Sequence, residues 1–111
     1  MATSYKSLGQ LDLTTTSLTT LYTCPASTET VISTVIIANR AASAGTFRLS
    51  VRPNGGTQTN AMYCAYDVPV AANDSTTLTL GITLQANDVV TVSADDADRL
   101  SINAFGAEVT V

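Results

Sequence analysis

The side chains able to do chemistry are few, and the commonest of them is missing. The chain has no His. Its absence removes the usual general base, the common Ser- and Cys-based triads and most transition-metal sites. Two cysteines remain, Cys24 and Cys64. Cys64 lies in a strand-like run with Val68 and Val70, where a thiol is packing material. Cys24 precedes Pro25 and has no base near it in sequence. Two cysteines without His do not make a zinc site. A disulfide between them would close a long loop and add ~3–4 kcal/mol. Two reduced thiols are the favoured reading, because Met1 to Gln10 carries no apolar signal-peptide segment.

The carboxylates are Asp12, Glu29, Asp67, Asp74, Asp88, Asp95, Asp96, Asp98 and Glu108. A pair at the right separation can run acid/base hydrolysis, as in glycosidases. Most of these sit beside turn residues, where a carboxylate caps and bends backbone. Asp95-Asp96-Ala97-Asp98 is the densest cluster and chemically suits calcium. It lacks the spaced ligands, Gly and distal Glu of a calcium loop, and Arg99 follows it, so a solvated hairpin turn is the expectation. Arg40, Arg48 and Arg52 could gather a phosphate or glycan, or protect an edge and pair with a neighbouring subunit. Gly55-Gly56 is followed by neither Lys nor a helix, so it is no phosphate loop. We expect no catalytic residue, no cofactor and no metal.

The elements that carry these residues read as strands. No window repeats apolar residues at helical spacing for three turns, and Thr and Val crowd every candidate. Phe47-Arg48-Leu49-Ser50-Val51-Arg52 alternates strictly, with Phe47, Leu49 and Val51 on one face. Pro53-Asn54-Gly55-Gly56 ends it with turn chemistry. Thr30 to Asn39 is apolar on both parities through Val35-Ile36-Ile37, which predicts a central strand covered on both faces. Met62, Cys64, Tyr66, Val68 and Val70 share one parity and are expected inward, and Pro69 is expected to end the pairing or mark an edge. Ala72-Asn73-Asp74 and Ala86-Asn87-Asp88 each lead into a strand run. Asn and Asp bond local backbone and tolerate left-handed conformations, so these are two turn-into-strand units. Leu78 and Leu80, Val90 and Val92, and Leu100, Ile102 and Ala104 continue the alternation. Leu11 and Leu13, then Leu18 to Tyr22, add two weaker candidates. The count predicts an all-β chain: an antiparallel β-sandwich or jelly roll of about eight strands. Residues 1–10 are expected as an N-terminal arm and residues 11–111 as one domain.

Composition sets the surface chemistry. The 111 residues suit one domain. Aromatics are 5% and Trp is absent, so the core falls to Val, Ile, Leu and Ala, with Phe47 and Phe105 expected inside. Charged residues are 13%, about half the usual quarter, so Thr, Ser, Asn and Gln supply the polar surface. A net charge of −4 argues against nucleic acid, whose phosphates need Lys and Arg. It argues equally against an anionic membrane surface.

These strand and turn motifs resemble a group of small virion-associated proteins of tailed bacteriophages and prophages. The likeness rests on Leu21-Tyr22-Thr23-Cys24-Pro25-Ala26, Val31-Ile32-Ser33-Thr34 and Ala38-Asn39-Arg40. It continues in Phe47-Arg48-Leu49-Ser50-Val51 with Pro53, and Ala65-Tyr66-Asp67-Val68-Pro69-Val70. It ends with Ala72-Asn73-Asp74, Leu80-Gly81-Ile82-Thr83-Leu84, Asp88-Val89-Val90-Thr91-Val92 and Ala104-Phe105-Gly106-Ala107-Glu108. It covers most of the chain after Thr20. The resemblance implies a non-enzymatic structural part of the virion: an accessory of tail, baseplate or fibre, or a capsid decoration or cement. The expected partners are copies of the chain itself and larger virion proteins, with no nucleic acid and no membrane. The implied place is the virion, with synthesis in the host cytoplasm. A receptor- or glycan-binding module of the virion is the alternative, using Tyr5, Tyr22, Tyr63 or Tyr66.

Overall fold

The computed structural model describes residues 2–111. They form nine strands: β1 (Ala2–Asp12), β2 (Thr19–Thr23), β3 (Thr28–Asn39), β4 (Gly45–Arg52), β5 (Tyr63–Val70), β6 (Ser75–Leu78), β7 (Ile82–Leu84), β8 (Val89–Ala94) and β9 (Leu100–Thr110). Single 3-10 turns at Pro53–Gly55 and Asn60–Met62 lie between β4 and β5. The prevalence of β-branched residues explains the choice, since they pack well on a pleated surface and lose rotamer freedom in a helix. Residues 2–10 of the expected arm lie in β1, paired with β9 from Ala2 opposite Thr110 onward; residue 1 lies outside the described residues.

The strands make two antiparallel sheets, ordered β1-β9-β3-β6 and β2-β8-β4-β5, with β7 also beside β3. β6 and β7 pair with successive stretches of β3, so together they act as one interrupted strand. Counted so, the order is 1-8-3-6 over 2-7-4-5. The chain changes sheet at every connection except the β4–β5 return and the β6–β7 break. That is the eight-stranded jelly roll, two Greek keys folded into a sandwich.

The core fills the space between the sheets. Phe47 is 1% exposed and is the largest fully buried side chain; Leu13, Ile32, Ile37, Leu49, Leu100, Ile102, Val90 and Val92 belong to the same cluster. The strict alternation of β4 holds for Phe47 and Leu49 inward, but Phe105 is 36% exposed, not buried.

Bulges account for the places where period-2 reading fails. β9 is flanked at one level by an extra residue on each side: Leu8 in β1, between the Ser7–Phe105 and Gly9–Ala104 pairs, and Ser33 in β3, between Ile32–Gly106 and Thr34–Phe105. A bulge puts two residues opposite one and reverses which parity faces in. Thr30 and Ile32 are therefore buried before it, and Val35 and Ile37 after it. The two-parity apolar run of β3 reflects this switch. The strand is central, but its other face is not covered: Val31 is 41% exposed. A similar irregularity in β5, with Asp67 at φ 51°, sets Ala65, Val68 and Val70 toward the core. Cys64 and Tyr66, expected inward, are exposed instead.

The two Asn-Asp units are turns leading into β6 and β8. Asn73 and Asn87 have φ of 55° and 72°. The amides of Asp74 and Asp88 close the turns on the carbonyls of Ala71 and Gln85. The Asp88 carboxylate also accepts from the Asn54 and Gln85 amides, tying the β4–β5 link to the β7–β8 turn.

Candidate interaction surface

Beyond the bulges, the first half of β1, the last half of β9 and the start of β3, with β7 on the other side of β3, form one end of their sheet. Its two faces differ in chemistry.

The inward face is polar and satisfied. Glu108 lies opposite Ser4 of β1 and Thr30 of β3. Its carboxylate takes the Lys6 ammonium at 2.5 Å and a hydrogen bond from the Tyr22 hydroxyl of the other sheet. The Tyr22 and Thr30 hydroxyls meet at 2.8 Å, and the Cys24 thiol lies 3.2 Å from the Thr30 hydroxyl and 3.3 Å from the Thr28 carbonyl. Lys6, then Tyr22, hold the Glu108 carboxyl below the usual carboxylate range. Burial, and then the bond to Glu108, push the Tyr22 phenol well above its ordinary value. The phenol is thus fixed as a neutral donor. The cluster joins the two sheets at the end of the sandwich; sequence reading left Glu108 among nine undistinguished carboxylates because its partners are 78 or more residues away.

The outward face is apolar. Tyr5, Val31, Phe105 and Ala107 line an open groove of about 640 Å³, with Lys6, Ser33 and Gly106 at its margins. Tyr5 is 84% exposed. Gly106 lets β9 come close to β3 here: a Cβ on it would lie 2.0 Å from the Val31 carbonyl oxygen. Contiguous exposed apolar surface of this kind is a candidate for contact with a partner.

The remaining candidate residues are dispersed. Arg40 pairs with Asp12, Arg48 with Asp67 at 2.7 Å and Arg99 with Asp96 at 2.9 Å. Arg52 donates to the Thr91 hydroxyl and the Gly56 carbonyl. With Lys6 on Glu108, all five basic side chains are engaged within the chain. Arg40, Arg48 and Arg52 therefore do not converge on one anion site. The hydrogen bond between Arg48 and Asp67 raises the pKa of Arg48 and lowers that of Asp67. The Arg48 guanidinium carbon lies 3.9 Å from the Tyr66 ring centre, and Tyr63 meets that ring edge-on at 4.9 Å.

The acidic residues mostly serve turns. Asp74 accepts from the Ser75 amide and Asp95 from the Thr46 amide. Asp95, Asp96 and Asp98 lie between β8 and β9, and among the described residues no cluster of His, Cys, Asp and Glu is arranged to hold a metal. Cys24 is buried, Cys64 is exposed, and both are free thiols. No helix among the described residues is long and apolar enough to cross a membrane.

No protein-family model matches the chain, and no curated protein matches it. Solved structures do share its fold. One is a chain in the acidic stable capsid structure of Helicobacter pylori bacteriophage KHP30, 15% identical, with a TM-score of 0.55 over 100% of this chain and 90% of that one. Another is a chain in the structure of infectious bursal disease virus Gx strain, 12% identical, with a TM-score of 0.53; it covers 97% of this chain and 32% of that one. The protein thus matches the first over nearly its whole length and the second over about a third. Its jelly roll is a fold that occurs in chains of viral particles.

Proposed function

We propose that the protein is a structural subunit of a bacteriophage virion, acting without catalysis, that associates with copies of itself and docks on larger subunits of the capsid as a decoration or cement. The single observation that carries this reading is the match, over the whole chain, to a chain of similar length in a phage capsid structure. Fold alone does not fix function, so the surface must agree, and it does. The basic side chains are all engaged internally, and the groove over Tyr5, Val31 and Phe105 offers apolar area for a protein partner. Placement on a tail, baseplate or fibre is the competing location within the same reading.

The test is electron microscopy of the phage particle carrying a labelled copy of the chain. Label at regular positions on the capsid shell supports the proposal. Label confined to the tail overturns the capsid placement, and label absent from purified particles overturns the virion role. Tyr5→Ser with Phe105→Ser should fold normally and lose incorporation.

A receptor- or glycan-binding role would rest on Tyr66, which is 55% exposed beside Asp67. Sugars stack on bare aromatic faces, and the Arg48 guanidinium already lies over this ring. A glycan array tests that reading, and hits abolished by Tyr66→Ala would establish it.

A further inference from the structure

We propose that β1 is a homodimerisation edge: two copies join antiparallel through their Ala2–Ser7 stretches about a twofold axis at Tyr5, merging two β1-β9-β3-β6 sheets into one. The inference deepens the self-association named above and identifies its surface.

A sandwich has four sheet edges, and three of them are blunted. β2 is five residues long, and its pairing with β8 slips between Thr20 and Tyr22. β6 and β7 have four and three residues, and Gly81 at φ 61° lies between them. β5 carries Pro69 and two register shifts. Short strands, Pro and bulges are the devices that stop edge pairing. β1 differs. It has eleven residues, and its Ala2–Ser7 stretch is regular and exposed throughout. Its single charge there, Lys6, is turned to Glu108 of its own sheet.

The register follows from side chains. A twofold axis perpendicular to a sheet brings residues of the same face opposite each other, so the two numbers in every pair share a parity. Centring on Lys6 would oppose two like charges, which is unfavourable. Centring on Ser4 would set Lys6 against Ala2, whose β9 partner is the uncharged Thr110. Centring on Tyr5 sets Lys6 of each copy against Ser4 of the other, and Ser4 is the β9 neighbour of Glu108. Each Lys6 then lies two strand spacings, about 10 Å between backbones, from the second copy's Glu108, within reach of a long ammonium side chain. Thr3 meets Ser7, and Tyr5 meets Tyr5 as an aromatic cross-strand pair, which is favourable. The two apolar grooves become one continuous face across the axis.

The experiment uses the full chain with Cys64→Ser, so that an exposed native thiol does not interfere. Sedimentation at high micromolar concentration should give twice the monomer mass. Single cysteines are then placed at positions 3 to 7, folding is checked by circular dichroism, and a short thiol-specific cross-linker is added. Tyr5→Cys should cross-link to itself. Thr3→Cys and Ser7→Cys should cross-link to each other when mixed, and neither to itself. A monomer, a trimer, or a dimer with any other cross-linking pattern overturns the proposal. A monomeric chain that still decorates particles would overturn this edge pairing alone, whereas a correctly cross-linked dimer absent from particles would overturn the virion role and leave the edge standing.

Discussion

Gly106 of β9 and the carbonyl of Val31 in β3 approach so closely that a Cβ at position 106 would sit 2.0 Å from the oxygen. The approach occurs where Leu8 and Ser33 bulge on either side of β9. Beyond this point the sheet carries Glu108 on its inward face and the groove on its outward face, so the glycine is a condition of that surface.

Gly106→Ala should therefore destabilise the protein by ~1–3 kcal/mol, the range for forcing extra atoms into a packed site. Backbone must move, because the obstructing atom is a main-chain oxygen. Urea unfolding checks this; an unchanged midpoint would show that the strands separate freely.

Phe47→Ala should cost ~3–5 kcal/mol, since it empties the centre of the core. That is a large share of the 5–15 kcal/mol typical of a domain. Phe105→Ala, on the groove and 36% exposed, should cost less than that in the same denaturation assay, and its effect should fall on particle incorporation. Equal losses at the two positions would contradict the difference in their burial.

Stability should fall in acid partly through Glu108. Lys6 and Tyr22 hold its carboxyl below the ordinary value of 4.5. The folded state thus favours the carboxylate. The stabilisation is fully present above the unfolded value and is lost as pH falls through the lower folded value. Asp67, lowered by Arg48, acts in the same direction. Thermal melts from pH 7 to 3 should show a shallower acid loss in Glu108→Gln than in wild type. Tyr22 runs the other way: its raised value stabilises the fold below pH 10.0 and is lost as alkali ionises the phenol.

One thiol per chain should react with a thiol reagent under native conditions, and two in denaturant. Cys64 is exposed and Cys24 is 1% exposed. Partial desolvation raises the Cys64 pKa, so its labelling should be slow at neutral pH and quicken as pH rises. Peptide mapping of the native product identifies the site.

Asn87→Ala should cost ~1–2 kcal/mol, the usual penalty for a left-handed residue other than Gly, Asn or Asp, while Asn87→Gly should be close to neutral. Denaturation of the two variants side by side tests whether φ of 72° is the reason for Asn there.

The sequence by itself determined the all-β class, the inward set of β4, the Asn-Asp turns and the edge at Pro69. These are local properties: period-2 alternation, side chains that bond their own backbone, and a residue lacking an N–H. Only the tertiary structure decided which parity faces in beyond Ser33, Leu8 and Asp67, because one bulged residue reverses every side chain after it. Those reversals exposed Tyr66 and Cys64 and left Val31 facing the groove. β9 has no bulge, so Phe105 faces out and Glu108 in by unbroken alternation from Ala104, and only the fold brings Lys6 and Tyr22 to that carboxylate. Residues 2–10, legible only as an arm, became a strand because β9 supplied its hydrogen bonds. The same pairing leaves the far side of β1 unpartnered, and the spare backbone groups along Ala2–Ser7 make this edge the place to look for a second copy of the chain.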